Sequence, residues 1–395
     1  MEKSDKKKLN IVHLHWGFPP IIGGVETHLT IILPEMVKQG HKVSLLTGSV
    51  EGVDELYDYE GATIHRTPIM DLNWLAKRGL AGLEEEVHQV FKTFLETTKA
   101  DIIHAHNMHY FSPVHAHTLA ALAKEKGIPV IMTAHNVWDD VLFMDLTQKV
   151  EWTHIIAVSH FIKKEIIGIG VDDRKITVIH HGIDEDKFNP SVNPKNILKK
   201  YPQLKGKKVI FHPARIGMAK GCDVSIKAIN LVKRIHPDVM LVLAGSKNIV
   251  AWVGTQQKDI AYFMKLIKHF DLKDNILIDC YTLDEVSQLY AVADVCLYPS
   301  SGCEPFGLTM LEAMASEKPI IVTKMGGMPE IISDGINGFV IPVKDFEMLA
   351  AKINTLLEDD ALRRRLGYTG RQMVEAQYTK EHITDNTLAV YRRFL

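Results

Sequence analysis

Residues 9–47 read LNIVHLHWGFPPIIGGVETHLTIILPEMVKQGHKVSLLT. A short β-branched run, LNIVHL (9–14), ends in the loop HWGFPPIIGG. VETHLTIILPEMVKQG (25–40) then takes helical spacing, with Gly40 where a C-cap belongs, and HKVSLLT reads as the next strand. Strand, loop, helix and strand in that order make one unit of a parallel sheet. The unit repeats. LEEEVHQVFKTFLE (83–96) places Leu83, Val87, Val90, Phe91 and Phe94 on one helical face. ADIIHAH, a helix near 112–126, IPVIMTAH and HIIAVS continue the alternation. From Pro190 to Pro202 the pattern lapses into Pro, Asn and Lys, the composition of a linker. It restarts with KKVIFHPAR, a helix over about 222–235, DVMLVLAG, a helix over about 256–270, NILIDCY, a helix over about 284–292, DVCLYPS, KPIIVT and GFVIPV. The expectation is an α/β protein of two Rossmann-like, doubly wound parallel-sheet domains, 1–192 and 193–379, facing across a cleft. Ligands of such sheets bind outside the carboxyl ends of the strands, so the cleft is the expected site.

Composition agrees and narrows the function. A chain of 395 residues is too long for one core of usual size. Its net charge of −2, with no basic half, argues against a dedicated nucleic-acid binder. The four cysteines, Cys222, Cys280, Cys296 and Cys303, form no C-x-x-C pair. That argues against a zinc ribbon or a secreted disulfide scaffold and for reduced thiols in a cytoplasmic protein. The start, MEKSDKKKLNIVHLHWGF, opens like a signal peptide, but His13, His15 and Trp16 break the apolar run. No window approaches 18 uninterrupted apolar residues, so no membrane span is expected.

Chemistry concentrates in SGCEPFGLTMLEAMASEKPIIVTKMGGMPEII (301–332), after the apparent strand DVCLYPS. Pro305 suits an early helix position, and Gly307 lets a ligand approach the backbone. The free N–H groups of Phe306, Gly307, Leu308 and Thr309 then face outward as an anion-binding helix start. Glu304 precedes the helix and Glu312 lies about one turn inside, where each can accept hydrogen bonds from hydroxyls. The plain alternative is an N-cap and a buried ion pair. HPARIGMAKGCD puts Arg215 and Lys220 on a loop at the same edge of the second domain, two fixed cations that suit a diphosphate. Alone, the pair reads equally as solvated surface charge.

FPPIIGGVE offers Gly23 and Gly24 on the first βα loop, with Glu26 and Thr27 opening the next helix. It lacks the third glycine of the dinucleotide fingerprint, which disfavours a plain dehydrogenase. Sixteen of the twenty histidines precede residue 200. His104, His106, His109, His115 and His117 raise the question of a metal, but no carboxylate or Cys completes a shell, and a polar cleft wall is the better reading. His135 ends the strand IPVIMTAH and is placed to project into the cleft. Asp184 and Asp186 form a D-x-D in a turn and read as structural, so no metal and no cofactor is expected.

Taken together, these residues resemble the retaining GT-B glycosyltransferases of family 4, the "group 1" family, over nearly the whole chain. The resemblance rests on GGVE, TAH at 133–135, HHGID with Phe188, Arg215-x4-Lys220-Gly221, Glu304-x7-Glu312 within EPFGLTMLEAMA, GGMPE and DGING. It implies transfer of a sugar from a nucleotide-diphosphate donor, a UDP- or GDP-sugar, with anomeric configuration kept. Arg215 and Lys220 look like the diphosphate pair, Glu312 the ribose ligand and Glu304 the donor-sugar ligand. Phe306, Gly307, Leu308 and Thr309 look like donor contacts, His135 the histidine beside the reacting sugar, and Gly23 and Gly24 the loop near the phosphates and acceptor. The family's front-face displacement uses the leaving diphosphate to help deprotonate the acceptor, so catalysis rests on positioning and charge stabilisation. The final helix, 380–395, is implied to pack back on the first domain.

The sequence departs from the family pattern at three places: Cys280 and Ala214, both commonly Gly, and Glu317, a left-handed position where glycine is frequent. Rival readings are another GT-B enzyme, such as a sugar-nucleotide epimerase or a phosphorylase, and a non-catalytic sugar- or nucleotide-binding protein. The acceptor is left open among carbohydrates, lipid-linked sugars and small metabolites. DLNWLAKRGLAGL (71–83) reads as a loop or helix over the acceptor, with peripheral contact at an inner membrane face as its alternative.

Overall fold

The computed structural model describes residues 7–245 and 253–395. The chain forms two compact units, Met1–His181 with Lys380–Leu395, and Gly182–Thr379.

The first unit is built on an eight-stranded sheet. Its strands are β1 (Asn10–Leu14), β2 (Lys42–Gly48), β3 (Leu56–Tyr59), β4 (Ala62–Thr67), β5 (Ile102–His106), β6 (Val130–Ala134), β7 (His154–Ala157) and β8 (Ile176–Val178), in the order β3-β4-β2-β1-β5-β6-β7-β8. All pairs are parallel except the β3–β4 hairpin. β5 and β6 are buried at every position, as strands covered on both faces must be. The helix Gly24–Lys38 packs Leu29, Ile32, Leu33 and Met36 into the same core as Ile11, Leu45 and Ile102. Ile383, Leu388 and Tyr391 of the last helix, Lys380–Tyr391, belong to that core too.

The second unit carries a six-stranded sheet, all parallel. Its strands are β9 (Lys208–His212), β10 (Val239–Gly245), β11 (Ile276–Cys280), β12 (Val295–Tyr298), β13 (Ile320–Thr323) and β14 (Phe339–Ile341), ordered β11-β10-β9-β12-β13-β14. Strand order reverses between β9 and β12, and in the first unit between β1 and β5. Such reversals open a crevice at the strands' carboxyl ends, where doubly wound sheets hold ligands. The loops carrying Lys220 and Glu304 follow β9 and β12.

Three features differ from the sequence reading. The boundary drawn at 192 moves back, because Gly182–Val192 packs within the second unit. There Ile183 N–H donates to the Tyr378 carbonyl, Arg371 donates to the Phe188 carbonyl (3.1 Å), and the Phe188 ring packs on Tyr290. The supposed linker contains a helical turn and a half, Lys195–Lys200, whose Ile197 N–H is taken by Gln288 Oε1 at 3.0 Å. The β3–β4 hairpin went unread. Glu317 does adopt the left-handed conformation, with φ of 54°. The segment at 71–83 is a short helix, Leu72–Arg78, closed by Gly79, and no helix among the described residues is long and apolar enough to cross a membrane.

Candidate active site

In the second unit, two loops meet backbone to backbone. After β9 the chain makes a turn at Met218–Lys220 and reaches Gly221, whose φ is +76°. A Cβ at Gly221 would lie 1.9 Å from the Pro299 carbonyl oxygen, so only glycine permits this approach. The neighbouring Ala219 carbonyl accepts from Ser301 N–H (3.0 Å), Gly302 N–H (2.9 Å) and the Ser300 hydroxyl (2.8 Å). The β9 loop is thereby stapled to the β12 loop.

That staple delivers Lys220 to Glu304. Lys220 Nζ lies 2.7 Å from Glu304 Oε2 and 2.9 Å from the Tyr298 hydroxyl, and Tyr298 donates in turn to the same carboxylate oxygen. Burial acts to lower the Lys220 pKa, but Tyr298 and Glu304 outweigh it and hold the ammonium above the ordinary lysine value. Burial, reinforced by Glu304, raises the Tyr298 hydroxyl, which stays protonated. Glu304 is itself buried, and its carbonyl accepts from Gly327 N–H at 2.9 Å. Gly326, with φ of +56°, lets this happen: a Cβ there would sit 2.0 Å from the Glu304 carbonyl oxygen. The paired glycines of GGMPE therefore clamp the acid from behind.

Eight residues on, Glu312 is buried in the helix Leu308–Ala315. The Tyr290 hydroxyl donates to Glu312 Oε2 at 2.7 Å. Burial still dominates that hydrogen bond and the charge of Lys187, and pushes the Glu312 carboxyl up to about 7. Gly307 caps the helix with φ of +91°. Among the described residues, no backbone carbonyl accepts from the N–H groups of Gly307, Leu308 or Thr309, and the buried Thr309 hydroxyl has no partner. Phe306, by contrast, turns its ring into the core and is 2% exposed. Arg215 is exposed on the β9 loop. One edge of one sheet thus gathers Arg215, Lys220, Glu304, the helix start at 307–309 and Glu312.

The first unit holds the remaining predicted residues. Gly23 and Gly24 open the helix Gly24–Lys38. A Cβ on Gly17 or Gly23 would fall 2.3 Å from a Glu26 carboxylate oxygen, and that carboxylate lies 3.1 Å from His15 Nε2. The glycine loop is therefore wrapped around an acid that sequence reading took only as a helix opener. His135 follows β6 directly and is buried, its N–H given to Asn107 Oδ1 at 2.8 Å. Both its ring nitrogens face other histidines, His106 at 2.9 Å and His181 at 3.3 Å.

Of the other histidines singled out, His109 and His115 each tie a ring nitrogen to a backbone carbonyl, of Asn136 and Ile69, and His117 is exposed. His104 and His106 join a buried cluster in which two trios, His13/His104/His106 and His28/His106/His135, keep their ligating nitrogens within 4.8 Å. The Asp184 carbonyl accepts from Lys187 and Phe188 N–H groups, the turn expected of it. Sequence reasoning missed Tyr298 and Tyr290. Neither has a local signal: Tyr290 lies 22 residues from its carboxylate.

Residues 22–187 match the family model described as Glycosyltransferase Family 4, and residues 194–373 match Glycosyl transferases group 1. An uncharacterized glycosyltransferase of Methanocaldococcus jannaschii is 25% identical over 397 residues, covering 97% of this chain and 98% of that protein. A glycosyltransferase structure from Rickettsia africae superposes with a TM-score of 0.83 at 21% identity, over 98% of both chains. Anabaena HepE, solved with UDP and glucose, superposes with a TM-score of 0.78 at 20% identity, over 98% of this chain and 100% of that one.

Proposed function

The chain belongs to the family 4, group 1 glycosyltransferases of the GT-B fold, and from that premise we propose that it moves a sugar from a UDP- or GDP-sugar to an acceptor with retention of anomeric configuration and without a metal. The observation that carries this reading is the Lys220–Tyr298–Glu304 cluster, set at the sheet's reversal beside an unpartnered helix start and Glu312. UDP and UDP-glucose complexes of a structural neighbour support the donor class.

In this reading the donor's diphosphate takes Lys220 from Glu304, joined by Arg215 and the N–H groups of Gly307, Leu308 and Thr309. Tyr298 keeps its bond to Glu304 as the ammonium leaves, so the carboxylate stays oriented to accept from sugar hydroxyls. Glu312 accepts from the ribose, and Phe306 braces the helix start from the core. His135, Gly23 and Gly24 contact the reacting sugar and phosphates. Charge on the departing diphosphate is then stabilised by groups already fixed in place, and the leaving oxygen takes the acceptor's proton.

The test is product analysis by NMR, with UDP- and GDP-sugars, a panel of sugar, lipid-linked and small-metabolite acceptors, and chelator present. The expected result is release of nucleoside diphosphate matched by a glycoside of the donor's configuration. Inverted product, a requirement for inorganic phosphate, or an epimerised sugar nucleotide without nucleotide release would overturn it.

A further inference from the structure

Five buried imidazoles of the first unit are joined end to end. His13 Nδ1 meets His106 Nε2 at 2.9 Å, His106 Nδ1 meets His135 Nε2 at 2.9 Å, His135 Nδ1 meets His181 Nε2 at 3.3 Å, and His181 Nδ1 meets His28 Nδ1 at 3.2 Å. In the first three links the ring centroids are 5.3, 5.1 and 5.1 Å apart and the planes tilt by 14°, 32° and 11°. With nitrogens this close, such rings lie edge to edge in a ribbon. His104 lies against the ribbon, its ring 4.1 Å from that of His106, and is fixed by the Tyr391 hydroxyl and the Thr133 hydroxyl at 2.5 Å each.

Counting hydrogens gives the ribbon a direction. Burial, aided by neighbouring imidazoles, holds His13 and His28 down to about 3 and His106, His135 and His181 well below the ordinary histidine value, so all five rings are neutral. A neutral imidazole has one N–H and one lone pair. An interior ring that accepts in one link must donate in the next, so every link points the same way. His13 decides which way. Its Nε2 is buried and has no partner among the described residues. A chain running toward His13 would leave an N–H unpaired there, whereas one running away leaves a lone pair there and puts the terminal N–H on His28 Nε2, which is not among the buried unpartnered atoms. Buried orphan N–H groups are the rarer and costlier of the two. His13, His106, His135 and His181 are then Nδ1–H tautomers, and His28 is Nε2–H.

We propose that His13, His106, His181 and His28 are positioning residues for His135, holding its ring in one tautomer and one orientation through a single polarised imidazole chain. The proposal rests on the reading of His135 as the residue beside the reacting sugar. It makes that ring a fixed wall of the site, with both nitrogens spent inside the unit. It also accounts for the histidine crowding: although two trios bring their nitrogens within 4.8 Å of one another, the ribbon commits the facing nitrogens to links in pairs, and of the five rings it is His13 whose Nε2 lone pair stays outside the links.

The experiment is 15N-histidine NMR on the full chain at neutral pH, where long-range 1H–15N correlations separate the two tautomers. Expected are Nδ1–H patterns at His106, His135 and His181 and an Nε2–H pattern at His28. An Nε2–H pattern at His106 or His135 would overturn the proposal, as would a stoichiometric transition metal that survives dialysis against chelator. Transfer kinetics of His106→Phe and His181→Phe supply the second arm. Breaking the chain on either side of His135 should lower kcat by up to about a hundredfold, the cost of a small misplacement at a reacting centre, while nucleotide affinity holds. Unchanged kcat in both folded variants would contradict it. A wild type with the expected tautomers and no transferase activity would instead count against the proposed function, leaving the ribbon in place.

Discussion

At the residue scale, Lys220 is the group on which most depends. Its ammonium is paired inside the unit with Glu304 and Tyr298, so donor binding is an exchange of partners. Lys220→Ala should lower kcat by about 10²–10³-fold, as loss of one preorganised charge-stabilising group does, measured as nucleoside diphosphate release. Tyr298→Phe should act differently. With the hydroxyl gone, Glu304 has Lys220 as its nearest partner, and the donor's KM should rise more than kcat falls; equal losses in both would contradict the exchange. Glu312 makes a prediction about pH. Its folded carboxyl titrates near 7 against about 4.3 for an exposed glutamate, so the folded state binds the proton more tightly. The stability contribution is therefore full below the unfolded value and is lost as pH rises through about 4.3 to 7. Glu312→Gln should melt higher than wild type above pH 7, by on the order of 3 kcal/mol, with the gain vanishing below pH 4.3. The same variant should bind nucleotide more weakly, since a carboxylate accepts from two ribose hydroxyls and an amide oxygen replaces only part of that. Thermal melts across pH, with and without nucleotide, measure both.

At the scale of elements, glycines at two loop contacts hold the acids and cations in register. Gly221→Ala combines a left-handed φ of +76° with a clash at 1.9 Å against a carbonyl, and should cost about 2–5 kcal/mol while separating Lys220 from Glu304. Glu317 is the opposite case. A glutamate at φ of 54° is strained, so Glu317→Gly should raise stability by roughly 0.5–1 kcal/mol with transfer unchanged, read by denaturant titration. Elements with clear periodicity were legible in the sequence: β1, β5, β6 and β9 to β13 are short apolar runs bounded by helices, and each stands where the alternation put it. The β3–β4 hairpin was not, since LYDYEGATIHRT mixes charge into both strands and its register comes from β2 alongside. The helix Lys195–Lys200 was hidden for a similar reason: beside the local Asn193 bond to Lys195 N–H, its first turn relies on the distant Gln288, which takes the Ile197 N–H.

At the scale of the molecule, two sheets of the same winding each place a chemistry-bearing loop at their point of reversal. Motif residues were legible because they sit on strand ends, where topology alone fixes the neighbourhood. Their supporting partners were not: Tyr298 and Tyr290 are ordinary core residues until folding brings Glu304 and Glu312 to them, and the ribbon through His135 joins five separate segments. The central claim, a diphosphate site at Lys220, is tested most directly by a thermal-shift titration with UDP, GDP and ADP on wild type and Lys220→Ala. At a hundred times its dissociation constant a ligand adds about 2.7 kcal/mol, roughly 5–11 °C for a domain of this size at 2–4 °C per kcal/mol. The account predicts such a shift with UDP or GDP in wild type and its loss in the variant. No shift with any nucleotide, or an equal shift in Lys220→Ala, would contradict it.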